Sequence, residues 1–193
     1  MCGRFFVDAK NREIDRLLDS LPAAAIRPRT GEVFPTNHAL VLANDNGRIA
    51  PASMQWGFPR REGKGVIINA RAESALSRPM FGRALQSRPV AIPSSGFFEW
   101  KAHPGEKRKD KFFLHAQEPT LWLAGFWDKF ADSEENKFVI LTTAANPSVL
   151  PVHDRMPLLL ENGQIEPWLT GKNLRELLKS QPFPLRVELV PNG

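Results

Sequence analysis

Apolar residues in this chain fall into short runs, and their spacing changes character about halfway along. Over 8–21, Ile14, Leu17, Leu18 and Leu21 recur three and four residues apart, the period of one helix face, and Asp8 stands where a side chain can cap the first turn. A connector containing Pro, Arg and Ala follows over 22–31. The run 38–43 reads as a strand. Asn44-Asp45-Asn46-Gly47 is a tight-turn signal, so 48–53 is expected to return beside it as a hairpin. A short strand is expected at 66–69, and a helix at 79–86 with Pro79 in its first turn. Beyond that point β-branched and aromatic residues set the pattern, predicting strands over 89–92, 96–100, 112–116, 121–127 and 138–143. The stretch 103–106 is a turn within a basic loop that reaches Lys111. Short helices at 165–169 and 173–179 and a last strand at 185–190 complete the reading. Strands this close together leave no room for regular βαβ units. The pattern therefore predicts an α+β fold: one domain over 1–193, with a mixed, mostly antiparallel, barrel-like β core and short flanking helices.

Composition narrows the function classes. The chain has 193 residues, 42% of them hydrophobic, enough for a real core and too many for a disordered chain. No apolar run is long enough to span a membrane, and the N-terminus has no charged-then-apolar secretion pattern. A lone cysteine cannot form an internal disulfide, which suits a reducing compartment. The expected location is cytoplasmic, with the protein at the nucleoid when bound to DNA. The net charge of +5 is compatible with a polyanionic partner. Five Trp and thirteen Phe are mainly core material, though some can stack on unpaired bases.

The single cysteine is Cys2, directly after Met1. Once Met1 is removed, Cys2 carries a free α-amine and a thiol on adjacent carbons. The α-amine has a reference pKa of about 7.7–8.0, so part of it is neutral and nucleophilic near pH 7. Such a pair captures an aldehyde: the amine forms an imine, and sulfur closes onto it to give a thiazolidine. Three further segments set polar groups among apolar ones: 67–73, 93–100 and 153–157. Glu99 lies between aromatic residues in an expected strand, where desolvation raises a carboxyl pKa and suits it to acid–base work. His153 and Asp154 sit in a loop bounded by Pro151 and Pro157, and His is the side chain best placed to move protons at neutral pH. His38, His103 and His115 lie in segments without ligand spacing, so no metal is expected. No cofactor motif is present either: there is no Gly-rich phosphate loop and no Gly-x-Ser-x-Gly elbow.

Met1-Cys2-Gly3-Arg4, Trp56-Gly57-Phe58, Asn69-Ala70-Arg71-Ala72-Glu73, Pro93-Ser94-Ser95-Gly96-Phe97-Phe98-Glu99-Trp100 and His153-Asp154-Arg155-Met156-Pro157, in this order, resemble the SOS-response-associated peptidase family of abasic-site processing proteins. The resemblance runs from Met1 to at least Pro157. It implies self-removal of Met1, followed by attack of Cys2 on the ring-opened aldehyde of an abasic site in single-stranded DNA. The product would be a thiazolidine crosslink that shields the lesion. It implies that Asn69 positions the sugar and the Cys2 amine, that Glu99 assists proton transfer, and that His153 serves sugar opening and crosslink reversal. It also implies that Arg4 and Arg71 contact phosphates and that Trp56 lies at the DNA. No cofactor, metal or membrane is implied; the expected partner is single-stranded DNA carrying abasic sites, bound by a monomer.

One stretch departs from the family pattern. Many members carry aromatic-Asn-x-Ala-Pro after the first helix; here the region reads Gly31-Glu32-Val33-Phe34-Pro35, with Glu32 at the Asn offset. An acid near the DNA path is expected to weaken phosphate binding. Two other functions fit parts of the pattern: a thiol peptidase that uses Cys2 on other proteins, and a non-catalytic module that binds single-stranded DNA.

Overall fold

The computed structural model describes residues 2–106, 108–131 and 133–191. The first half contains β1 (Phe5–Val7), α1 (Arg12–Asp19), β2 (Gly31–Val33), β3 (His38–Asp45), β4 (Arg48–Trp56), β5 (Phe58–Pro59), β6 (Val66–Ile67), β7 (Asn69–Arg71), α2 (Ala72–Ala75) and α3 (Gly82–Ser87). The second half contains β8 (Pro89–Ser94), β9 (Gly96–Ala102), β10 (Lys109–His115), β11 (Leu121–Phe130), β12 (Ser133–Ala144), β13 (Arg155–Pro157), β14 (Leu159–Leu160), α4 (Ile165–Leu169), α5 (Leu174–Leu177) and β15 (Arg186–Leu189). The expected α+β class with a mostly antiparallel, barrel-like core is what forms. No helix is long and apolar enough to cross a membrane among the described residues.

Five strands close a ring in the order β12-β4-β3-β8-β11, and β11 pairs back onto β12. An odd number of strands cannot alternate direction all the way round, so at least one neighbouring pair must be parallel. That pair is β4 with β12, with Trp56 opposite Phe138; the other four are antiparallel. β7 continues the parallel edge, with Asn69 opposite Ile140. A second sheet, β15-β10-β9-β1-β2, packs beside the barrel.

The hairpin at 44–47 is as the sequence predicts. Asn46 and Gly47 both take positive φ, at 51° and 92°, the left-handed pair a two-residue turn needs to follow strand twist. In the barrel wall a Cβ on Gly125 would lie 2.5 Å from the Val139 carbonyl, so only glycine lets β11 come this close to β12.

Some bounds differ from the pattern. The helix expected over 8–21 starts at Arg12, because Asn11 caps it by accepting from the Glu13 and Ile14 amides, while Asp8 caps the preceding turn at Lys10. The helix expected over 79–86 begins at Gly82, with the preceding residues held as a turn by the Arg78 carbonyl. The strand expected at 66–69 divides: β6 pairs with β5, whereas β7 pairs with β12.

Candidate active site

Cys2 is fully buried just before β1, and its thiol points to the Arg4 carbonyl at 3.7 Å. Met1 lies outside the described residues. Asn69 opens β7, and its Nδ2 donates to the Cys2 carbonyl at 2.9 Å. The Asn69 Oδ1 is buried with no hydrogen-bond partner among the described residues. Trp56 fixes the preceding residue: its indole N–H donates to the Ile68 carbonyl at 3.0 Å.

Glu99 lies on β9 opposite Phe112. Strand alternation puts Phe97 and Glu99 on the inner face, while Phe98 and Trp100 face outward. Glu99 is only 3% exposed. Burial raises its carboxyl pKa; the charge of His153 is close enough to pull in the opposite direction. The Cys2 thiol is pushed up as well, first by burial and then by the nearby Glu99 charge. At neutral pH the sulfur is therefore S–H, not thiolate.

His153 precedes β13, and its amide is tied to the Val149 carbonyl. Two groups meet its Nδ1: the Arg155 amide N–H at 3.0 Å and the Asp154 carboxylate at 2.8 Å. The first needs a bare nitrogen and the second a protonated one. The amide is held by backbone pairing with β12, whereas the Asp154 side chain is 81% exposed. We assign Nδ1 as acceptor, which leaves the mobile proton on Nε2.

Asn69 thus bonds Cys2 directly, Glu99 lies near enough for its charge to act on the Cys2 thiol, and His153 near enough to act on Glu99. Two residues that the pattern quoted without a role hold them there. Arg155 forks onto Glu73 at 2.6 and 2.9 Å and reaches the Thr142 carbonyl at 2.6 Å. The 69–73 segment therefore holds Cys2 at one end and the His153 loop at the other. The only signal in the sequence was membership of the same polar segments.

The expected DNA contacts divide. Arg71 is exposed and borders a groove of about 480 Å³ that begins at Asn69 and runs past Arg61, Arg78, Met80 and Phe81. Arg4 is partly exposed. Trp56 requires correction: it has no accessible surface, stacking on Phe138 and packing against Phe5. Its ring cannot meet a strand; it builds the wall behind Cys2 and Asn69. Glu32, the acid at the departing position, accepts from Arg4 at 2.9 Å and Lys111 at 2.6 Å. Burial alone would raise its pKa, but these two bonds hold it below the ordinary carboxylate value.

Known proteins are similar to this chain in sequence and in fold. The chain is 30% identical over 188 residues to the abasic site processing protein YoqW of Bacillus subtilis, covering 90% of this chain and 82% of that protein. It is 28% identical over 200 residues to the abasic site processing protein YedK of Escherichia coli, covering 95% and 88%. Among solved structures, a protein from Bacteroides thetaiotaomicron superposes with a TM-score of 0.78 at 20% identity, covering 99% of this chain and 93% of that one. A phage-related protein from Bordetella bronchiseptica gives 0.77 at 22% identity, covering 99% and 95%. The family model for the SOS response associated peptidase matches residues 1–191, so this chain, with Asn69 bonded to its buried Cys2, belongs to the SOS response associated peptidase family.

Proposed function

We propose that this protein senses abasic sites in single-stranded DNA and captures them covalently through Cys2. The observation that carries the reading is the Asn69–Cys2 bond in a buried site: Asn69 donates to the Cys2 carbonyl, the Cys2 thiol is fully buried, and Glu99 is buried close enough for its charge to add to the effect of burial on that thiol. The relatives named abasic site processing proteins support the choice of substrate.

The chemistry follows from the protonation states. An abasic deoxyribose is mostly a closed hemiacetal. His153 relays the proton from its C1′ hydroxyl to the ring oxygen, which frees the aldehyde. With Met1 removed, the neutral Cys2 amine attacks the aldehyde carbon; a thiol held as S–H is the weaker first nucleophile. The Asn69 Oδ1, buried without a partner among the described residues, is an acceptor for an N–H of that amine. Burial raises the Glu99 pKa toward the range useful for acid–base work; in its acid form Glu99 gives its proton to the departing hydroxyl, water leaves, and the N–H proton of the resulting iminium returns to Glu99, leaving the imine. Sulfur then adds to the imine carbon, and its proton passes through Glu99 to nitrogen. The sum is aldehyde plus aminothiol giving thiazolidine plus water.

The test is a denaturing gel of purified protein with a single-stranded oligonucleotide, with and without one abasic site. A heat-stable shifted band only with the lesion is expected, together with an intact mass lacking one Met. No band from protein lacking Met1 overturns the reading. Proteolysis of other proteins without a band would favour a thiol peptidase.

A further inference from the structure

The outer face of the second sheet carries a cluster that the crosslinking chemistry does not use. Phe6 and Glu32 are register partners, as are Trp100 and Lys111, so alternation brings Arg4, Glu32, Lys111, Phe98 and Trp100 to that one face. The two cations are seated on rings. The Arg4 guanidinium lies 4.3 Å from the centre of Phe34 and 4.9 Å from that of Trp100, and the Lys111 ammonium lies 4.0 Å from Phe98. Glu32 bridges them with one oxygen on each. The three charged side chains are between 20% and 30% exposed, so solvent and ions reach them. The rings hold the cations whether or not the carboxylate is there.

A carboxylate with an oxygen on each of two converging cations has the geometry of a bound phosphate. Arg4 is also close to the nucleophile. Two residues of extended chain span about 7 Å. Its carbonyl accepts from both the Cys2 thiol and the Phe98 amide, so the cluster and the nucleophile share one backbone anchor.

We propose that Glu32 is an internal stand-in for a strand phosphate: it occupies the Arg4–Lys111 pair in the free protein and is displaced when single-stranded DNA binds beside the lesion. This rests on the DNA-binding reading above. The exchange keeps the cluster at one net positive charge instead of two. It lowers affinity for undamaged strands, so the covalent step supplies more of the discrimination. The family's Asn offset is then filled here by a competitor for the phosphate, not by a residue that merely weakens it.

The experiment measures binding of a lesion-free oligothymidylate by fluorescence anisotropy across about 50–200 mM NaCl, with wild type, Glu32→Gln and Glu32→Gln/Lys111→Met. Gln keeps the shape of the carboxylate and can still accept a hydrogen bond, and thermal melts check that each variant is folded. Removing one unit charge about 4 Å from the phosphate site in water-like surroundings is expected to tighten binding about fivefold. The logarithmic salt slope is expected to steepen by about 0.7, the value for one further phosphate neutralised on a single strand. The double variant is expected to return to the wild-type slope. Equal or weaker binding by folded Glu32→Gln, or a steeper slope that survives loss of Lys111, overturns the proposal. Because the probe carries no lesion, this result is independent of the crosslink gel: a crosslink with unchanged strand affinity defeats the inference alone, and absence of a crosslink defeats the parent reading.

Discussion

Replacing Glu99 with Gln removes a proton and a charge while nearly preserving shape, and the structure sets two separate consequences. Glu99 is 3% exposed, and its pKa is raised chiefly by burial. The kinetic consequence concerns the departing water, which an amide cannot protonate. General acid–base help is typically worth about 10²–10⁴-fold, so crosslink formation should slow by at least about 10²-fold, roughly 2.7 kcal/mol at 1.36 kcal/mol per tenfold. The thermodynamic consequence concerns the charge. With the folded pKa above the ordinary 4.5, the folded protein holds more protons than the unfolded chain between those two values. Stability from this group therefore falls as pH rises through that window, and the full cost of burying the carboxylate is present above the folded pKa. Gln carries no such cost. The variant should be more stable than wild type at neutral pH, with the gap closing as pH falls below 4.5. Quenched time courses on denaturing gels give the rate, and urea midpoints across the pH range give the gap. Formation at the wild-type rate would refute the proton-transfer role, and a gap that does not grow with pH would refute burial of the charge.

The other expectations concern separate parts of the site. His153→Ala should slow transfer of crosslinked protein to excess competitor DNA as much as it slows formation, read by paired gel time courses; release at the wild-type rate would count against its role. Cys2→Ser should give no heat-stable adduct, while borohydride still traps its imine; a stable adduct would point to another nucleophile. Trp56→Ala, which empties a fully buried site, should cost about 3–5 kcal/mol in urea unfolding and leave the salt slope of DNA binding unchanged, because the ring lies in the core. The Arg155 fork holds the Glu73 carboxyl below the ordinary 4.5, so this ion pair's stabilisation is present above that value and lost as pH falls through the lowered folded pKa. Glu73→Gln should flatten the acid limb of the stability curve, and an unchanged limb would show that the pair contributes nothing there.

The sequence by itself determined the side-chain chemistry and the longer local elements. Cys2 next to Met1, the Asn44–Gly47 turn with its two long strands, and Glu99 among aromatic residues are all legible because periodicity and residue type act over a few positions. The α+β class with a mostly antiparallel core followed from the same signals. Tertiary structure decided the rest, because those contacts join distant segments. The Asn69–Cys2 bond spans 67 residues and the Arg155–Glu73 fork spans 82. Strands β1, β2, β5, β13 and β14 have two or three residues each, too few for a period, and exist because a neighbouring strand supplies their hydrogen bonds. Burial of Trp56 could not be read from its neighbours: the parallel closure of β4 on β12, which a five-strand ring requires, turned it onto Phe138. Glu32 looked like an unfavourable acid in the chain, and became a bridging one only when β1, β2, β9 and β10 aligned Arg4 and Lys111 on the same face.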